Sequence, residues 1–268
     1  MNPSVSQRSA DDVRDMFTRI APRYDFLNRL MTLGQDRSWR RETIQHLDVQ
    51  PGDRLLDIGT GTGDLAFEAL QQTADILVVA VDFTPQMIHI GKERAGGHRL
   101  KWVIADAHHL PFTDGTFNAV VSGFLFRNVV DLDGALREQA RTLQENGRMA
   151  SVDTTPLSAG AGRPLFEFFL RSVIPLLGGA ISGDPDAYHY LPRTTERFLP
   201  AEALAKRLKA AGFDGIHFIR RMFGTIALHW AKKPPVVHQA RIQRSVRVLN
   251  EADKPESHAG RGKIKTWN

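Results

Sequence analysis

Residues 55–66 read LLDIGTGTGDLA, an apolar run that breaks into glycines at 59, 61 and 63 and resumes as an amphipathic segment. A strand that ends in glycines and turns into a helix leaves backbone N–H groups and the positive end of a helix dipole at the carboxyl edge of a sheet. Folds with such an edge alternate strands with helices, and the rest of this chain keeps that rhythm. RLLDIG, ILVVAVD, LKWVIAD, FNAVVSGF and GRMASVD are short strand-like runs, separated by helical stretches near 63–72, 84–95 and 131–144. Strands rich in Val, Ile and Leu with little alternation are buried on both faces, and helices between them imply right-handed parallel crossovers. The expected fold is therefore α/β, a doubly wound Rossmann-like sheet.

Around this centre the pattern changes. Val13, Met16, Phe17 and Ile20 recur at helical spacing, and Trp39, Ile44 and Leu47 continue it, so residues 8–48 form an expected N-terminal helical layer that Pro51-Gly52 ends. Past the fifth strand the rhythm stops. Residues 156–200 form an insertion whose RPLFEFFLRSVIPLLGG is helical and apolar almost all round. PAEALAKRLKAAGF then adds one helix, and GIHFIRRMFGTIALHWAKK holds two strand-like runs flanking Gly224. With no helix between them these two runs pair antiparallel. The expected sheet has seven strands, mostly parallel with an antiparallel last strand. The expected domains are a helical cap at 1–50, a catalytic domain at 51–233 with a helical lid near 156–200, and a disordered basic tail at 234–268.

Charge and composition exclude several functions. The formal net charge is +5, but residues 234–268 hold seven Lys and Arg against three Asp and Glu, so most of the excess lies in the tail and the folded part is close to neutral. That tail reads as a solvated extension, with contact to anionic lipid or RNA left open. The absence of cysteine rules out disulfides, thiolate metal sites, cysteine nucleophiles, arsenite methylation and the covalent adduct of cytosine methylases. The Asn-Pro-Pro-aromatic motif of amino methylases is missing too, so no nucleic-acid substrate is expected. No apolar run approaches the roughly 20 residues that cross a bilayer, and the first residues lack the apolar centre of a signal peptide. The expectation is a cytoplasmic protein. His108 and His109 invite a metal, but no third ligand stands at suitable spacing, so none is expected.

The glycine spacing discriminates between ligands. A dinucleotide fingerprint has glycine at relative positions 1, 3 and 6, whereas here Asp64 occupies the sixth position after Gly59, Gly61 and Gly63. A phosphate loop needs a lysine that this loop lacks. Asp57 before the first glycine and Asp64 after the last repel a diphosphate, yet suit a ligand with an ammonium and a sulfonium group. S-adenosylmethionine carries both. Asp82 ends the second strand, placed to accept ribose hydroxyls, and Asp106 ends the third, where its carboxylate or the next backbone N–H meets an adenine.

The chain also resembles the methyltransferases of ubiquinone and menaquinone biosynthesis, which methylate a ring carbon of a polyprenylated benzoquinol or of demethylmenaquinol. The resemblance is carried by FTRIAPRYDFLNRLMTLGQDRSWRR, FRNVVDLDGALRE, SGDPDAYHYLPRTTERFLP and GTIALHWAKK, over residues 12 to about 233. It implies a class I methyltransferase that uses S-adenosylmethionine and a lipid quinol. The cofactor contacts it implies are Thr62, Asp82 and the Asp106-Ala107 pair. A further contact is a serine whose position here holds Gly123, with Ser122 one place earlier. VDTTPL follows the fifth strand where the family usually has a glutamate and a phenylalanine. The Arg127-Asn128 pair and Tyr24 become the candidates for the acceptor side, with His189 as a proton acceptor in the pocket and the apolar insertion around Phe169 as a channel for a prenyl chain. A peripheral membrane contact and a homodimer stay open.

Overall fold

The structure is a computed structural model that describes residues 10–32, 34–156 and 198–235. Most of the expected lid, His189 and Phe169 among it, and all but the start of the tail lie outside the described residues. Three helices come first: α1 (Ala10–Ile20), α2 (Tyr24–Met31) and α3 (Asp36–Leu47). The sheet then begins with β1 (Arg54–Ile58), followed by α4 (Asp64–Gln72), β2 (Leu77–Asp82), α5 (Pro85–Glu93) and β3 (Lys101–Ile104). Next come β4 (Phe117–Gly123), a short 3-10 turn over Phe126–Asn128, α6 (Leu132–Thr142) and β5 (Leu143–Thr154). The described chain ends with α7 (Ala201–Ala210), β6 (Asp214–Arg221) and β7 (Ile226–Lys232).

The seven strands lie in the order β3-β2-β1-β4-β5-β7-β6. The first five pair in parallel, and β7 runs antiparallel to both β5 and β6. The expected seven-stranded, mostly parallel sheet is present. One detail of placement was not foreseen: the last strand inserts between β5 and β6, so β6 and not β7 is the edge.

Side-chain alternation along the buried strands feeds two separate cores. On β1, Leu55 packs with Trp39, Ile44, Leu47 and the α4 residues Leu65, Ala66 and Ala69. Its neighbours Leu56 and Ile58 point the other way, toward Leu136 of α6 and Leu204 and Leu208 of α7. All three β1 residues are fully buried, as expected for a central parallel strand covered on both faces. Burying one such side chain stabilises the fold by about 1.5–3 kcal/mol.

Candidate functional site

The sheet reverses its winding between β1 and β4, since β2 and β3 extend to one side and β5, β7 and β6 to the other. Helices leaving β1 and β4 diverge there, and a crevice opens at the strands' carboxyl ends. It contains two adjoining lobes that share Gly59, Asp82, Phe83, Leu125 and Asn128.

The glycine loop is shaped from below by Asp57. Its Oδ2 accepts the Thr60 hydroxyl at 2.7 Å and the Ala66 N–H at 3.1 Å, joining the two ends of the loop. The carboxylate has no exposed surface, and burial pushes its pKa up to about 7. Asp57 therefore holds the loop and does not line the crevice. Gly63 has φ +94°, and a Cβ there would stand 2.8 Å from the Trp102 ring. That left-handed backbone and close approach both demand glycine. Gly61 donates its N–H to Asp82 Oδ2 at 2.8 Å, while Asp82 Oδ1 accepts the Thr84 N–H at 2.8 Å. Burial raises the Asp82 pKa, against these two hydrogen bonds.

The loop that follows β3 contributes Asp106, Ala107 and His108, which all line the larger lobe; β3 ends at Ile104, two residues before the aspartate expected to close it. Asp106 Oδ1 accepts the His108 N–H at 2.9 Å and lies 2.7 Å from His108 Nδ1. Partial burial, which raises the Asp106 pKa, is outweighed by these hydrogen bonds, and the pKa falls below its ordinary value. His108 Nε2 lies 2.9 Å from the Asp131 carbonyl, so the histidine ties this corner to the start of α6.

At the end of β4 the structure separates two neighbours. Gly123 lines the smaller lobe with Phe124 and Leu125. Ser122 is 1% exposed, lies in register with Ser151 of β5, and faces the core. The position expected to carry a serine contact is thus glycine backbone, and Ser122 does not replace it. Asn128 lines both lobes and donates through Nδ2 to the Phe124 carbonyl at 2.8 Å. Arg127 is half-buried behind it, with its guanidinium 5.1 Å from the centre of the Phe124 ring. Its countercharge is Asp153, which is buried at the end of β5 and accepts the Phe126 N–H at 2.9 Å. Burial raises the Asp153 pKa, and Arg127 opposes this. Asp131 and Asp133, plausible partners for Arg127 by sequence proximity, pair with Arg137 and Arg207 instead. Tyr24 opens α2; its side chain lies outside what the structure describes.

The expectation of an acidic ring needs correction. Asp57 is buried under the loop, and Asp64 is held by Arg94 at 2.7 Å and Arg40 at 3.2 Å. Burial raises the Asp64 pKa, but the two arginines bring it below the ordinary value. Among the described residues, only Asp82 and Asp106 face the crevice as carboxylates. The two carboxylates of this described lining suit the ribose hydroxyls and cationic centre of S-adenosylmethionine better than a pyrophosphate. Sequence reasoning missed Val13 and Phe17 of α1, which line the crevice as apolar walls. Their spacing marked a buried helix face without saying what it covers.

Solved structures confirm the architecture. The [4+2]-cyclase SpnF aligns with a TM-score of 0.61 at 18% identity, over 84% of this chain and 96% of that one. A SAM dependent methyltransferase from Aquifex aeolicus aligns with a TM-score of 0.54 at 15% identity, over 72% and 89%. At such identities the likeness is of fold alone. Sequence relatives reach further. A ubiquinone/menaquinone biosynthesis C-methyltransferase, UbiE, of Desulfotalea psychrophila is 41% identical over 82% of this chain and 90% of its own. A demethylmenaquinone methyltransferase of Thermus thermophilus is 40% identical over 82% and 100%. With residues 4–233 matching it from the cap to the last strand, the chain belongs to the ubiE/COQ5 methyltransferase family.

Proposed function

We propose that this protein is an S-adenosylmethionine-dependent C-methyltransferase acting on a polyprenylated quinol, demethylmenaquinol or a polyprenyl-benzoquinol. The observation that carries the reading is the crevice at the β1/β4 reversal: carboxylates at Asp82 and Asp106, no Lys or Arg in its described lining, and apolar walls from α1. The names of the relatives support the acceptor class.

S-adenosylmethionine supplies an electrophilic methyl group when bound. The protein's remaining task is to align a ring carbon with it and make that carbon nucleophilic, which for a quinol means loss of a phenolic proton. With a phenol pKa of about 10, ionisation at pH 7 costs roughly 4 kcal/mol. One preorganised donor aimed at a developing oxyanion contributes about 2.7–4 kcal/mol. Asn128, in the crevice wall, and its neighbour Arg127, whose guanidinium lies over the Phe124 ring, are the groups we assign to this. A guanidinium keeps its proton in proteins, so Arg127 stabilises a phenolate and is no free base.

A prenylated acceptor needs an apolar approach. Val130 on the crevice rim and Phe26 on α2 are 55% and 59% exposed, and we assign them to contact with the acceptor's tail or the membrane that carries it. No helix among the described residues is long and apolar enough to cross a membrane.

The test is methylation of a reduced quinol analogue, read as the mass gain of one methyl group, with the oxidised quinone as control. The quinol reacts and the quinone, having no phenolic proton to lose, does not. Equal labelling of both, or of neither, overturns the reading. Arg127→Ala lowers kcat by about 100-fold or more, with smaller loss in Arg127→Lys. Near-normal turnover in both variants removes Arg127 from the chemistry.

A further inference from the structure

A chain of polar contacts joins the N-terminal helices to the glycine loop. The Thr62 hydroxyl donates to Asp25 Oδ1 on α2 at 2.8 Å. Arg94, just past α5, donates through Nη1 to the Thr62 carbonyl at 2.9 Å and to its hydroxyl at 3.1 Å. The same guanidinium lies 3.6 Å from Asp25 Oδ2 and 2.7 Å from Asp64 Oδ1. Arg40 of α3 reaches Asp64 from the other side at 3.2 Å and also pairs with Asp36, which accepts the Thr32 hydroxyl at 3.0 Å. Every charged member is at least two-thirds buried, so these pairs escape most of the screening that weakens surface ion pairs.

Asp25 has a special place in this chain of contacts. Thr62 and Asp64 belong to the loop and the helix it starts, and Arg94 to the strand-helix framework. Asp25 alone stands on α2, directly after α1, whose Val13 and Phe17 wall the crevice. Thirty-seven residues separate it from Thr62.

We propose that Asp25 is a positioning residue, a latch that seats α1 and α2 over the cofactor crevice by holding Thr62 and Arg94 at once. The latch makes loop geometry and cap closure one event. A ligand under the cap leaves only when the Asp25 contacts open, so Asp25 governs its residence time. This rests on the reading that the crevice binds S-adenosylmethionine, and the experiment separates the two.

In ligand-free full-length protein, hydrogen–deuterium exchange of residues 10–32 is compared between wild type, Asp25→Asn and Asp25→Ala. Exchange speeds up in Asp25→Ala and less in Asp25→Asn, whose amide oxygen still accepts the Thr62 hydroxyl. Unchanged exchange in Asp25→Ala overturns the latch whatever the ligand. S-adenosylhomocysteine is then the probe for the consequence. Its off-rate rises about 10-fold or more in Asp25→Ala, with little change in on-rate. In the double variant with Thr62→Val the combined loss is smaller than the product of the two, because the Asp25–Thr62 hydrogen bond is common to both. Wild-type off-rates in Asp25→Ala, or losses that multiply, refute the coupling. A wild-type protein that binds no S-adenosylhomocysteine refutes the cofactor reading, and the exchange data still decide the latch.

Discussion

Single residues show how one loop uses chemically similar groups for different ends. Asp57 and Asp82 are both buried carboxylates at strand ends, yet Asp57 fastens the loop from beneath while Asp82 lines both lobes of the crevice. Asp82→Asn leaves one oxygen to serve the Gly61 and Thr84 N–H groups that two now serve. Affinity for S-adenosylhomocysteine falls about 10-fold or more, measured by calorimetry; an unchanged Kd would show that Asp82 shapes the loop without touching ligand. Gly63→Ala forces a side chain into φ +94° and against the Trp102 ring. It lowers stability by roughly 1–3 kcal/mol, read from the urea midpoint, and a wild-type midpoint would mean that the backbone relaxes at no cost.

At the scale of elements, the last two strands carry in their sequence the difference between a central strand and an edge. TIALHWA is nearly continuous in apolar residues, and β7 is buried along most of its length, flanked by two strands. GIHFIRR alternates and ends in arginines, and β6 is the exposed edge, as charged edge strands commonly are. On the far face α7 packs Leu204 and Leu208 into the core and takes no part in the described crevice lining. His229 Nε2 on β7 meets the Ala201 carbonyl in its first turn at 2.9 Å. Leu208→Ala therefore costs about 2–5 kcal/mol in folding and leaves the Kd for S-adenosylhomocysteine unchanged at temperatures where the protein is folded. A weakened Kd would mean that the two faces of the sheet are coupled.

The molecule as a whole balances buried titratable groups of opposite effect. Burial raises the Asp57 pKa from 3.8 to about 7, so folding takes up a proton there. Its contribution to stability is full below its ordinary pKa of about 4 and is lost as pH rises toward 7. Burial raises Asp25, Asp82 and Asp153 in the same sense. Burial lowers the His229 pKa below 6.5, so that side chain folds neutral, and its contribution is full above pH 6.5 and lost as pH falls. Asp57→Asn makes the urea midpoint climb more steeply with pH between about 4 and 7 than in wild type, and His229→Gln makes it climb less. Two slopes equal to the wild-type slope would exclude these groups as the source.

The amino-acid order alone determined the alternating sheet, the glycine loop and the class of ligand, because each rests on neighbours in sequence: apolar periodicity, turn residues and the spacing of Gly59, Gly61 and Gly63. The structure puts Asp82, at the end of β2, and Asp106, two residues past the end of β3, in the crevice lining. The amino-acid order left unresolved which acidic residues face the ligand, that Asp131 and Asp133 pair with Arg137 and Arg207 and not with Arg127, and that Asp25 grips Thr62. Those outcomes depend on burial and on partners tens of residues away, and a charged side chain carries no local sign of which opposite charge or hydroxyl the folded chain will bring to it. Only the tertiary structure decides that, because desolvation and pairing are set by what packs around a group and not by what precedes it.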